Sequence, residues 1–266
     1  ALGHSIHDSI EKAWKKGYKL NLRKLGIPQD VVDIVKINPT DEEVIQLRNQ
    51  KEEFIPIYLE QRAITEYGGY KIGGKFDLVA EGIVQDTKST SVNTVLFGSR
   101  DDEHILQGSL YRWIDSFQPV KKITEDHMQI NYVFTDWNKF LARTNPKYPA
   151  TKTISKKLNL MPLRETELWV RDKLALITKY KDTPEKDLPF CTDEELWRSL
   201  PAYKYYADPA KTDGRSTKNF DTYDDATKFM INEKGGKGIV ITKPGEVKRC
   251  GYCNAFPVCT QKDQYQ

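Results

Sequence analysis

The stretch Gly74-Lys-Phe-Asp77-Leu-Val-Ala-Glu81-Gly82-Ile-Val-Gln-Asp86-Thr87-Lys88 decides how the rest of the chain is read. Glycines at 68–69, 73–74 and 82 punctuate short segments of β character, and 75–79 and 83–88 read as a hairpin. Side chains alternate faces along a strand, so Asp86 and Lys88 share one face. With the turn centred between Glu81 and Gly82, Asp77 lies opposite Asp86. Facing carboxylates have Cβ atoms roughly 5 Å apart and repel each other. A divalent cation between them removes the penalty, and carboxylate oxygens are the ligands Mg²⁺ prefers. A lysine beside such a centre can orient an attacking water, help it lose a proton, or stabilise charge developing on phosphorus. On spacing alone, a surface hairpin with scattered charges explains the stretch equally well.

Working outward, residues 4–16 read as a helix, with Ile6, Ile10, Ala13 and Trp14 at helical spacing. Thr40 with Glu43 forms a capping-box pattern that opens a helix expected to run to about Glu60. A helix is expected from about Asp102 to Phe117, with Leu106, Leu110, Trp113 and Ile114 inward. Ile130, Tyr132 and Phe134 alternate with polar residues as in a strand. Further on, 165–179 and 223–233 read as helices and 238–241 as a short strand. The order predicts an α/β core, a mixed sheet flanked by helices, over 1–150. A mostly helical, basic extension packed on that core is expected over 151–266.

With 38% hydrophobic and 30% charged residues among 266, the chain reads as a soluble globular protein. No apolar run is long enough to span a bilayer, and no membrane partner is expected. The first eight residues carry charge and two histidines where a secretory signal needs an apolar segment, so a cytoplasmic location is expected. The chain begins inside the first helix, which suggests that residues upstream of Ala1 are missing. The net charge of +3 excludes nothing by itself. Basic residues gather in 147–181 and 204–249, and a basic C-terminal half can follow a phosphate backbone. Any single one of these lysines is equally explained as a solvated face. Tyr203, Tyr205, Tyr206 and Phe220 within that half can stack on bases or serve as core.

Three local motifs, in order, resemble those of the PD-(D/E)xK nucleases, in particular the RecB-like, AddB-like iron–sulfur branch. Gly3-His-Ser-Ile-His7 resembles that branch's Gly-x-x-x-His motif. Asp77 with Asp86-Thr87-Lys88 resembles the central motif, although Phe76 stands where a proline often precedes the first aspartate. Gln107-Gly-Ser-Leu-Tyr111 resembles the Gln-x-x-x-Tyr motif. The resemblance spans residues 3–111 and implies a restriction-endonuclease-like fold. It implies that His7, Asp77, Asp86 and the Thr87 carbonyl ligate Mg²⁺ or Mn²⁺, with Asp77, Asp86 and Lys88 as the catalytic set. Gln107 and Tyr111 would contact the DNA strand or support the site. His4, three residues before His7, is the alternative histidine, but the family spacing favours His7.

Cys250, Cys253 and Cys259 stand as Cys-x2-Cys-x5-Cys, and Cys191 is the fourth cysteine. Four thiolates suit tetrahedral zinc or an iron–sulfur cluster. The lack of a secretory signal argues against two disulfides. Members of the same nuclease branch hold a 4Fe–4S cluster with a similar tail, and their fourth cysteine often precedes the Gly-x-x-x-His motif. Here Leu188-Pro-Phe-Cys-Thr-Asp-Glu-Glu-Leu-Trp197 resembles a segment of phage-encoded members, as does Asn219–Ala226 ahead of Pro244-Gly-Glu. The resemblance therefore implies a structural 4Fe–4S cluster on Cys191, Cys250, Cys253 and Cys259, with Zn²⁺ as the alternative.

The expected function is a metal-dependent deoxyribonuclease in DNA replication, recombination or repair. It is expected to act on single strands or DNA ends, as an exonuclease rather than an endonuclease, in the host cytoplasm if phage-encoded. The chain has no Gly-x-x-x-x-Gly-Lys loop, so any helicase would be a partner. The alternative is a non-catalytic nucleic-acid-binding module with a structural four-cysteine metal site. An intact Asp77, Asp86 and Lys88 counts against it.

Overall fold

The computed structural model describes residues 2–98 and 100–265. Two compact units divide the chain, Ala1–Ile177 and Thr178–Gln266.

The first unit is α/β. It runs α1 (Leu2–Lys15), α2 (Tyr18–Lys24), α3 (Gln29–Ile34), β1 (Val35–Ile37), α4 (Asp41–Gln50), β2 (Ile55–Tyr67), β3 (Tyr70–Ala80) and β4 (Ile83–Thr90). It continues with α5 (Val92–Leu96), α6 (Asp101–Asp115), β5 (His127–Phe134), α7 (Lys139–Thr144), β6 (Thr153–Asn159) and α8 (Leu163–Tyr180), whose last turn crosses the division. The sheet order is β1-β2-β3-β4-β5-β6, with β1–β2 and β4–β5 parallel and the other pairs antiparallel. Helices flank this mixed sheet. The expected core boundary near residue 150 is displaced to 177, because β6 completes the sheet against β5 and α8 adds Val170 to the core around Trp113.

The β3–β4 turn falls where the glycine pattern places it. Glu81 and Gly82 both have positive φ, 52° and 75°, the conformation of a two-residue hairpin turn whose twist suits the strands. Ala80 pairs Ile83 and Leu78 pairs Gln85, so the next rung brings Asp77 and Asp86 level as the ladder ends.

The expected helix from Thr40 to Glu60 stops at Gln50. Its capping box forms as expected, but Lys51 turns left-handed (φ 56°) and closes the helix. Beyond it Ile57, Tyr58 and Leu59 are all buried, the pattern of a strand covered on both faces.

Helix α6 covers one face of the sheet, burying Trp113 and Ile114 against Ala63 and presenting Tyr111 to the Phe76–Val79 core. Burying each such side chain contributes about 1.5–3 kcal/mol. Trp14, Tyr18 and Leu22 from α1 and α2 pack on Ile57, Leu59, Leu78 and Ala80.

The second unit departs from the expected mostly helical tail. It contains β7 (Ala202–Tyr206), β8 (Lys218–Phe220), α9 (Tyr223–Lys228) and β9 (Ile239–Lys243), with β7 central in an antiparallel sheet. Tyr205 and Tyr206 are buried, and Tyr205 packs edge-on against Phe229 with centroids 5.2 Å apart. Those two tyrosines are therefore core residues rather than a stacking surface. Among the described residues, no helix is long and apolar enough to cross a membrane.

Candidate active site

Four elements deliver the expected residues to one region of the sheet. His7 projects from α1, Asp77 from β3, Asp86 and Lys88 from β4, and Gln107 and Tyr111 from α6. His7 Nδ1 lies 3.0 Å from Asp77 Oδ2, and His7 Nε2 lies 2.8 Å from the Thr87 carbonyl. His7 is thus the histidine that reaches Asp77, while His4 stands exposed at the rim of the cleft.

Both neighbours of the His7 ring are acceptors. Either the imidazole carries both protons or Asp77 carries one. Burial pushes the Asp77 carboxyl above the usual carboxylate range, and the Asp86 charge pushes it further, against the opposing pull of His7. Asp86 is 4% exposed. Lys88 Nζ stands 2.8 Å from Asp86 Oδ2. The approach is off the hydrogen-bonding direction, so this buried oxygen has a charge partner but no hydrogen-bond donor among the described residues. Buried polar atoms are rarely left in that state. Two carboxylates, an imidazole and a carbonyl are donors that Mg²⁺ or Mn²⁺ takes, and the ligand atoms that converge here within 4.8 Å are those of His7, Asp77 and Glu60, with Asp86 outside that group.

Two consequences can be measured. A carboxyl whose folded pKa lies above its unfolded value binds its proton more tightly in the fold. Its ionisation costs stability at every pH above the folded value, and the cost fades as pH falls through that value. Asp77→Asn is thus expected to melt above wild type at pH 7 in chelator, with the gap closing on acidification. A thermal scan at pH 7 showing an equal or lower Tm contradicts this. The second consequence concerns Tyr111, whose hydroxyl accepts from Gln107 Nε2 at 2.9 Å. Its ring lies so close over Gly74 that a Cβ there would come within 2.8 Å of Cδ1 and 2.9 Å of Cε1. Gly74→Val is expected to displace the ring and cost about 1–3 kcal/mol in chemical denaturation. An unchanged midpoint would show that Tyr111 yields freely.

Glu60 and His104 escaped the sequence reading. His7, Glu60 and Asp77 each bring one ligand atom within 4.8 Å of the others. They line a cleft of about 450 Å³ with His4, Glu11 and Lys75. Glu60 lay hidden because the residues before it read as helix. His104, on the inner face of α6 three residues before Gln107, is 4% exposed. Burial, and then the charge of Lys88, hold its imidazole below the ordinary histidine range. A second grouping, Glu125, Asp126 and His127, has two exposed members.

In the second unit, hydrogen bonds lace the cysteine-bearing segments together. The Cys191 amide donates to Gln261 Oε1 at 3.2 Å, and the Thr260 amide and hydroxyl both donate to Glu185 at 2.8 Å. Lys248 and Arg249 donate their amides to the Leu196 carbonyl. Burial raises the Cys191 thiol above its ordinary range, followed by the charges of Glu195, Cys259, Cys250 and Cys253. The four sulfurs are therefore electrostatic neighbours. Among the described residues, no three of them lie within 4.8 Å of one another.

No protein-family model and no curated protein matches the chain.

Proposed function

We propose that the protein is a Mg²⁺- or Mn²⁺-dependent deoxyribonuclease of the PD-(D/E)xK superfamily. Within it we place the chain in the RecB-like, AddB-like iron–sulfur branch, as a phage-encoded member. It acts as an exonuclease on single strands or DNA ends during replication, recombination or repair. One observation carries this reading: His7 contacts both Asp77 and the Thr87 carbonyl, and the buried Asp86 carboxylate beside them on β4 is ion-paired with Lys88. The succession α1, β2–β3–β4, α6, β5 supports a restriction-endonuclease-like core.

His7, Asp77, Asp86 and the Thr87 carbonyl would hold the divalent ion. When bound, the ion supplies Lewis-acid polarisation of the phosphodiester and neutralises charge developing on it. Lys88 is one-third exposed, so its ammonium can reach a phosphate or orient the attacking water. Asp86 holds Lys88 close to the site by charge. Gln107 and Tyr111 support the site from α6 or contact the strand.

The four cysteines are read as ligands of a structural 4Fe–4S cluster. Zn²⁺ held by the same four thiolates is the alternative. Any helicase that feeds DNA to this enzyme is a separate partner.

The test is digestion of end-labelled single- and double-stranded DNA with Mg²⁺ or Mn²⁺, beside substrates with blocked ends and closed circles. An exonuclease releases label from free ends only. Cutting of closed circles refutes the exonuclease assignment, and no digestion with either ion refutes the enzyme.

A further inference from the structure

The rung between β2 and β3 that carries Glu60 and Asp77 is irregular on both strands. Leu59 pairs Leu78 and Gln61 pairs Phe76, but Glu60 and Asp77 are left out of the ladder. Glu60 has φ 54°, a left-handed conformation that glutamate rarely adopts. The face alternation slips at this rung. Phe76 and Val79 both pack towards α6, while Leu78 and Ala80 join the Trp14 cluster. On β2, Tyr58 and Ala63 both pack on the α6 side. The slip turns the Glu60 and Asp77 carboxylates towards each other and towards His7. A strained rung that crowds two acids is a cost unless something cationic gathers them.

A cation is already supplied by the chain. Lys75, two residues before Asp77 on the same strand, makes a close ion pair with Glu60.

We infer that Glu60 is a further ligand of the divalent ion, completing the set with His7 and Asp77, and that Lys75 is the resident counter-ion the metal displaces. This rests on the reading of the site as a divalent-metal centre. Glu60 then tunes how readily the site loads, and Lys75 sets the threshold by competing for the same carboxylate.

Mn²⁺ titration of the full-length chain by calorimetry, at fixed pH and without DNA, tests this. Glu60→Gln is expected to weaken Mn²⁺ binding by at least about 10-fold. Glu60→Gly, which suits the left-handed backbone and keeps the rung, is expected to weaken it as much. Lys75→Met is expected to tighten it. Asp77→Asn serves as the reference for loss of a ligand. If wild type binds Mn²⁺, Asp77→Asn does not, and both Glu60 variants bind like wild type, the Glu60 assignment is overturned and the metal-centre reading stands. If Lys75→Met leaves affinity unchanged or lower, the resident-cation role is overturned. If wild type binds no Mn²⁺, both the inference and the reading beneath it fail.

Discussion

Lys88→Ala is expected to lower divalent-ion-dependent DNA cleavage by about 10²- to 10⁴-fold, the contribution typical of a positioned proton-transfer group, while the protein still folds with a lowered melting temperature. The two halves follow from different features. Lys88 is one-third exposed, so losing the side chain empties no core position, but it strips the buried Asp86 carboxylate of its charge partner. Asp86→Ala is expected to be as severe for cleavage. It removes a buried carboxylate oxygen that has no hydrogen-bond donor among the described residues, and the Lys88 it leaves behind can turn to solvent, so its structural penalty is small. Full activity in either variant, measured on labelled DNA, sinks the site assignment.

Cys253→Ser is expected to yield protein without iron and to unfold the cysteine-bearing segments of residues 178–266. A metal held by four thiolates contributes its binding energy to folding, roughly 10 kcal/mol or more for structural zinc in small domains. Here the bonds lacing 185–191 to 259–261 and Leu196 to 248–249 join loops that bury little apolar surface, since Phe190, Tyr252 and Val258 are all exposed. Without a metal those loops depend on a few hydrogen bonds worth about 1 kcal/mol each. Iron analysis together with hydrogen exchange over 178–266 reads both outcomes. Stoichiometric zinc with no iron in the wild type refutes the cluster. An iron-free variant with unchanged exchange refutes its structural role.

The elements nearest the chemistry were the legible ones, for identifiable reasons. The β3–β4 hairpin has a glycine where the turn needs positive φ, and its register follows from that position. Helices α1 and α6 each bury one face, so their period is plain. Strand β2 was hidden because Ile57, Tyr58 and Leu59 are buried on both sides, and a short continuous apolar run does not distinguish strand from helix. With β2 went Glu60, whose approach to His7 depends on a slip in alternation that no two-residue period contains. Strand β6 carries only Ile154 and Leu158 as apolar residues, too few to show a face, and is recognised by its pairing with β5. The spacing of Cys250, Cys253 and Cys259 is local and readable. The approach of Cys191 depends on long-range contacts through Gln261 and Glu185, which spacing does not carry.

The central claim, that His7, Asp77, Asp86 and Lys88 form a divalent-metal nuclease centre, is tested most directly by incubating the purified full-length protein with end-labelled single-stranded DNA. One arm contains chelator and the other Mn²⁺, with Asp86→Ala in parallel. The account predicts label release with Mn²⁺, none in chelator, and none from the variant. Folded wild-type protein that binds the DNA yet releases no label with Mn²⁺ or Mg²⁺ would contradict it and leave a non-catalytic binding module in its place.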